Sequence, residues 1–411
     1  MITKDRMFYR FSLYGFLKNL RFFDPFILLI FRSYGLTFLQ IGILYSIRDV
    51  ATNILEIPTG VVADSFGRRR AMVAAFLSYI TSFMVFYFLK DFLYLSLAMV
   101  LFAFGEAFRS GTHKALILEY LKVQGISDLK VAYYGLTRSA SQLGSAVNAL
   151  IAAGLVFYSG SYRVMFLAST IPYFLDLINV ISYPKSLDGK LQRIRKEEIL
   201  TRIKTTTREF IQIFSNKSVM RAILNSAGFA GVFKSSKDYL QPVLAALALS
   251  VSIFNNLEDT RREAVIIGLV YFGIFALTSL ASRRAYQVSE RFRSLSRAVN
   301  LTYLMGAGLL ILSGIMSRQQ IILVAVLCFI GLYVINNIRR PINVGIISDQ
   351  ISSQVMASGL STESQFTTIF SALFSPLMGF LADSFGVGNG IAMMGVGMLA
   401  LYSLVRVKEK V

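Results

Sequence analysis

The sequence predicts an all-α polytopic membrane protein, with twelve transmembrane helices in two pseudo-symmetric six-helix bundles. Composition comes first: 55% of the 411 residues are hydrophobic, only 16% are charged and mean hydropathy is +0.59, whereas a soluble domain is about a quarter charged. The apolar residues also form long continuous runs, which suit spanning helices, whereas barrel strands would alternate. Finally, short charged strings recur about 220 residues apart, as expected of a chain built from two equivalent halves.

Taken in order, the elements begin with a span from about residue 8 to 31. "MITKDRMFYRF" is followed by no small-residue cleavage site, so the span reads as a retained helix and not as a signal peptide. Clean apolar runs follow at 71–89, 93–104, 164–183, 264–281, 321–335 and 391–405. Others reach spanning length once isolated polar residues are accepted inside them, giving about twelve spans of ~20 residues. Trp is absent, so Tyr and Phe must supply any interfacial belt. Residues 184–217 lose the apolar runs and turn basic, with Leu191, Ile194, Ile199 and Ile203 spaced as on a short surface helix. The domain boundaries follow: 1–183 for the first bundle, 184–217 for a basic linker on anionic headgroups and 218–411 for the second bundle.

The net charge of +19 describes topology, not a nucleic-acid partner. With the N-terminus inside, one side collects Lys4, Arg6, Arg10, Arg68, Arg69, Arg70, Lys122, Lys130, the linker cations, Arg283, Arg284, Arg291, Arg293, Arg297, Arg406, Lys408 and Lys410. The other side holds only Arg32, Lys90, Arg163, Arg261, Arg262 and Arg318. This asymmetry predicts a multi-pass protein of the cell membrane with both termini cytoplasmic. There is no basic soluble domain to bind nucleic acid. The single Cys328 excludes an internal disulfide.

The repeat is visible in two pairs of strings. "KNLRFFDP" at 18–25 in the first span matches "KSSKDYLQP" at 234–242 in the seventh: a cation, a second cation three positions later, an acid and a proline. "GLTRSASQ" at 135–142 in the fifth span pairs with "GLSTESQ" at 359–365 in the eleventh. Such repeats characterise secondary transporters with a site at the repeat interface.

"GVVADSFGRRR" at 60–70, between the second and third spans, resembles the major facilitator superfamily motif G-x-x-x-D-x-x-G-R-x-[RK]; Gly60, Asp64, Gly67, Arg68 and Arg70 fill its defining positions. The resemblance in span number and repeat covers the whole chain. It implies the MFS fold, and a gating role for these five residues: Asp64 would latch one state through Arg68 or a neighbouring helix, with the glycines permitting a tight turn and close packing. "GFLADSFG" at 379–386 lacks the basic residues and lies between the last two spans, so it reads as a packing and turn element. "EAFRSGTHKA" at 106–115 matches the family's fourth-helix arginine pattern only in part, and "SQLGSAVNALIAAG" lacks the proline of the drug/proton antiporter pattern.

Charges inside spans are costly, at least ~2.5 kcal/mol near midplane on insertion scales, so they should face a cavity and find partners. On a continuous helix Lys18, Arg21 and Asp24 would share one face. These three, with Arg109, Arg138, Lys234, Lys237, Asp238 and Arg339, form the expected substrate site. Asp24, Glu56, Glu106, His113, Asp238 and Glu363 are the candidates for proton coupling. Arg48, Asp49 and Arg340 are further candidates, and across this candidate cavity the cations outnumber the acids and so favour an anionic or zwitterionic solute.

His113 is the only histidine, so no HExxH-type metal pair is possible, and no GxxxxGK[ST] loop is present to take ATP. The expectation is therefore a monomeric secondary transporter, not an enzyme, using alternating access. Its partners are a small organic anion or zwitterion, a coupling ion (H⁺) and the bilayer, without cofactor, metal or nucleic acid. Alternatives are an exporter of drugs or lipid-like amphiphiles, and a non-transporting receptor on the same fold.

Overall fold

The computed structural model describes residues 4–189, 216–251, 256–290, 294–348 and 356–408. The surface helix expected around Leu191 to Ile203 lies outside the described residues. The described chain is helical, and its helices are α1 (Arg6–Leu17), α2 (Ile27–Ser33), α3 (Phe38–Phe66), α4 (Arg68–Phe88), α5 (Phe92–Arg109), α6 (Thr112–Val123), α7 (Lys130–Ser159), α8 (Val164–Ile181), α9 (Lys217–Ser236), α10 (Leu240–Ser250), α11 (Asp259–Glu290), α12 (Leu295–Arg318), α13 (Ile322–Ser348), α14 (Met356–Phe385) and α15 (Val387–Val405). Among the described residues nine stretches, with α5 and α6 counted together, are each long and apolar enough to cross a bilayer. The remaining three crossings are α1 with α2, α3, and α9 with α10. The first and last of these are interrupted, and α3 carries Arg48, Asp49, Glu56 and Asp64. The molecule is thus a twelve-span polytopic membrane protein.

Contacts divide the chain into two compact units, Met1–Phe26 with Ala51–Thr201, and Ile27–Val50 with Arg202–Val411. The first unit packs around aromatic rings. Tyr79 and Tyr173 meet edge to face at 5.2 Å between centroids, and Phe83 lies 4.9 Å from Tyr173 and 5.1 Å from Phe23. Such pairs add ~0.5–1.5 kcal/mol each beyond burial.

The second unit includes residues 27–50 because two glycines let backbones touch. A Cβ on Gly42 would fall 2.7 Å from the Ser375 carbonyl carbon, and one on Gly379 would fall 2.7 Å from Leu39 Cα. The start of α3 is capped twice over. Thr37 and Gln40 form a reciprocal capping box, Gln40 N–H donating to Thr37 Oγ1 (3.1 Å) and Thr37 N–H to Gln40 Oε1 (2.9 Å). The Asp383 carboxylate then accepts from the Phe38 and Leu39 amides at 3.0 and 2.8 Å.

The first span is not the continuous helix that the sequence suggests. It stops at Leu17 and resumes through a 3₁₀ turn, Asp24–Phe26, before α2. Pro25 has no N–H and its ring clashes with the carbonyl four residues back, that of Arg21. That carbonyl instead accepts from Asn148 Nδ2 at 3.1 Å. The Lys18 carbonyl accepts from Tyr173 Oη (3.0 Å) and the Phe22 amide donates to Ser169 Oγ (2.9 Å). Every side chain in this account comes from α7 or α8, which is how a broken helix satisfies its backbone inside a membrane span. The seventh span breaks at the equivalent place, with α9 ending at Ser236, a 3₁₀ turn at Lys237–Tyr239, and Tyr333 Oη donating to the Lys237 carbonyl at 3.4 Å.

Candidate functional site

In the first unit the break leaves a pocket of about 310 Å³, bordered by Tyr14, Lys18 and Asn19 from the first span, His113 from α6, and Arg138 and Gln142 from α7. The lining is polar and cationic. The Lys18 ammonium lies 5.4 Å from the centre of the Tyr14 ring, on which the His113 ring stacks at 3.5 Å and 12°. Neither Lys18 nor Arg138 forms an ion pair among the described residues. Beside this pocket Glu106 bridges two guanidinium groups: Arg21 pairs with one carboxylate oxygen, and Arg109 Nη2 approaches the other at 2.5 Å. Arg21 also donates to Tyr173 Oη, and Arg109 Nε donates to Tyr79 Oη at 3.0 Å. This cluster holds two cations against one acid; the Tyr79 and Phe102 rings lie against the Arg21 guanidinium, and each of the three charged side chains keeps about a fifth of its surface exposed.

In the second unit both lysines of the seventh span are matched by acids. Buried Asp49, 2% exposed, accepts from Arg48 Nε at 3.0 Å and pairs with Lys234 Nζ at 2.9 Å; Lys237 Nζ lies 2.6 Å from Asp238 Oδ1. Glu363 accepts from the Ser226 and Thr367 hydroxyls at 2.7 and 3.4 Å. Arg339 departs from the expectation of a cavity residue. It is 1% exposed inside the bundle, where the Val299 carbonyl (2.6 Å), Thr302 Oγ1 (2.7 Å) and Asn225 Oδ1 (2.7 Å) accept its N–H groups, and Phe229 covers its face at 4.3 Å. It ties α13 to α9 and α12.

Of the other sequence candidates, Asp24 is exposed at the 3₁₀ turn, so the single-face grouping of Lys18, Arg21 and Asp24 is lost with the continuous helix. Glu56 is exposed and accepts from Ser110 Oγ at 3.0 Å.

At the α3–α4 turn, Arg68 reaches Asp64 and Glu119, each at 3.6 Å. Gly67 turns the chain with φ +104°, and a Cβ there would also meet the Asp188 carboxylate at 3.0 Å. Asp188 Oδ1 accepts from the Arg69 amide at 2.8 Å, and Arg69 Nη1 donates to the Tyr183 carbonyl at 3.0 Å. Gly60 has no neighbour within 4 Å of where a Cβ would stand, contrary to the close approach expected there, because its surface faces open space. Arg70 is exposed. The sequence reading passed over Glu119 and Asp188, and it read the string holding Asp383 only as a packing and turn element; all three acids gain meaning from the backbone amides and cations that folding brings to them.

The family model described as the Major Facilitator Superfamily matches residues 12–364. The chain belongs to this superfamily. The uncharacterized MFS-type transporter YxaM of Bacillus subtilis (strain 168) is 23% identical over 403 residues, covering 97% of this chain and 95% of the relative. Among solved structures, a variant of the nucleoside transporter NupG superposes with a TM-score of 0.78 at 12% identity, covering 97% of this chain and 99% of that one. A POT family transporter in complex with 5-aminolevulinic acid gives 0.68 at 15% identity, with 97% and 93% covered. The protein is therefore an MFS transporter.

Proposed function

We propose that this MFS protein is a secondary active transporter for a small organic anion or zwitterion, coupled to protons and working by alternating access in the cell membrane with both termini cytoplasmic. One observation carries the reading. Lys18 and Arg138 border the first unit's pocket without ion-pair partners among the described residues, while the buried Asp49 of the second unit has two cations to itself. A cation in a low-dielectric site is stabilised by an incoming negative charge, and a guanidinium grips carboxylate or phosphate with two parallel hydrogen bonds. The solved relative holding 5-aminolevulinic acid, a zwitterion, agrees with such a solute.

The test uses purified protein in sealed vesicles and a labelled panel of small carboxylates, amino acids, organic phosphates and size-matched organic cations. Protein-dependent flux of an anion or zwitterion, lost in Lys18→Gln, is the expected result. Flux confined to organic cations would overturn the solute class, and no flux of any member would favour a receptor.

A further inference from the structure

The string "PYFLDLIN" places one acid, Asp176, in the apolar run of α8, and the carboxyl is 0% exposed. Oδ1 accepts from Asn179 Nδ2 at 3.1 Å, and Oδ2 has no hydrogen-bond partner among the described residues. Asn179 is itself held by donating to the Arg10 carbonyl at 3.1 Å. The titratable and charged groups around Asp176 are Tyr14 and Lys18 on the first span, Arg109 on α5 and Tyr183 just beyond α8. None of them forms an ion pair with it. Four other acids within the spans have partners: Glu106 has Arg21 and Arg109, Asp49 has Arg48 and Lys234, Asp238 has Lys237, and Glu363 has two hydroxyls. A buried carboxyl with one neutral donor and one bare oxygen has a place for a hydrogen, because the ionised form would lie uncompensated in low dielectric.

We propose that Asp176 Oδ2 is a proton-binding site and carries the coupling proton of transport, an inference that rests on the transporter reading above. A hydronium ion or buffer acid in the pocket water gives up its proton, the O–H bond forms on Oδ2, and water or buffer base is left behind; release reverses the step. Tyr14 and Lys18 act electrostatically on Asp176 and border the pocket, which Asp176 itself does not line, so a proton moving between the pocket and Oδ2 passes these two side chains. Protonated, Asp176 leaves Lys18 to a solute anion. Ionised, it competes with that anion for the same ammonium. Proton and anion therefore bind cooperatively, as symport requires.

The test has two readouts on wild type, Asp176→Asn and Asp176→Glu. Infrared spectra of the purified proteins at neutral pH, without solute, should show in wild type a protonated-carboxyl band that shifts in heavy water without unfolding. The band should vanish in Asp176→Asn and move in Asp176→Glu, which also covers the case of an Asn variant that fails to fold. In the vesicle assay Asp176→Asn should keep exchange of the labelled panel across the membrane and lose accumulation driven by a pH gradient. An Asn variant with an unchanged band, a wild-type band that never exchanges with solvent, or intact gradient-driven accumulation would each overturn the proposal. If no panel member moves even in wild type, the transport reading fails while the infrared result still decides whether Asp176 holds an exchangeable proton.

Discussion

The two broken spans start from nearly the same string and end in opposite electrostatic states. In "KNLRFFDP" the break leaves Lys18 on a pocket without an ion-pair partner, and Arg21 shares Glu106 with a second arginine. In "KSSKDYLQP" Lys234 finds Asp49 and Lys237 finds Asp238, so the equivalent cations are satisfied within the protein. Repetition thus conserves the backbone device, a helix interrupted within the matched string with a carbonyl at the break accepting from a tyrosine, Lys18 from Tyr173 and Lys237 from Tyr333. The electrostatics have diverged. One half keeps a cation open to an incoming anion, and the other spends its acids on its own lysines.

The sharpest way to break this contrast is Glu106→Gln. The substitution keeps the shape of the side chain and leaves two guanidinium groups facing each other among aromatic rings. Removing one partner of a fully buried ion pair costs ~3–5 kcal/mol, and these side chains are about a fifth exposed, so thermal unfolding in detergent should show a clear drop in midpoint that stays below that full cost. The double variant Glu106→Gln with Arg109→Gln should recover part of it. A single variant as stable as wild type would mean that water already screens the cluster.

Next in size is the difference between Lys18→Gln and Lys234→Gln. A charged hydrogen bond contributes ~1.5–3 kcal/mol, so Lys18→Gln should weaken binding of a transported carboxylate by that amount with little change in stability. Lys234→Gln should do the reverse, lowering stability because Asp49 is left buried with Arg48 alone. Isothermal titration beside thermal melts separates the two outcomes. Equal loss of affinity in both variants would erase the distinction between the halves.

The sequence made part of this legible. Long apolar runs and the matched strings gave the spans, the two halves and the family, because burial in lipid is written residue by residue. The helix breaks were hidden, since Pro25 and Pro242 follow apolar and charged residues alike and a spanning run looks continuous until backbone partners are known. Site residues were legible only as a pool of charges. Arg339 belonged to that pool, yet three neutral oxygens receive it inside the bundle. Asp176 stood outside it, one acid in an apolar run, and its importance lies in which cations fail to reach it. Pairing is a property of distances between elements, and spacing along the chain does not contain it.

A second repeated string refines the comparison. "ADSFG" occurs at 63–67 and again at 382–386. The later copy was expected to be a packing and turn element; its Asp383 also caps the start of α3 through two amides. Losing an N-terminal cap costs ~0.5–2 kcal/mol, and the Thr37–Gln40 box remains in place, so Asp383→Ala should fall at the low end. Amide hydrogen exchange should quicken at Phe38 and Leu39 and stay unchanged across α15.

The earlier copy should give the smallest change in stability. Asp64 meets Arg68 at 3.6 Å, both side chains are partly exposed, and Glu119 reaches the same guanidinium at the same distance. An exposed i,i+4 pair contributes ~0.3–0.5 kcal/mol, and the arginine keeps an acid partner when Asp64 is lost. Asp64→Asn should therefore melt within a degree or two of wild type and bind solute normally, since ~1 kcal/mol moves a large domain by only ~2–4 °C. Its transport rate should nonetheless fall sharply if the signature acts as a latch, because a small contact that exists in one conformational state changes the populations of both. Melting curves and initial vesicle flux measured on the same preparations decide the point. A slow, stable variant places the function of Asp64 in switching, and one that transports at the wild-type rate reduces "GVVADSFGRRR" to a well-packed turn.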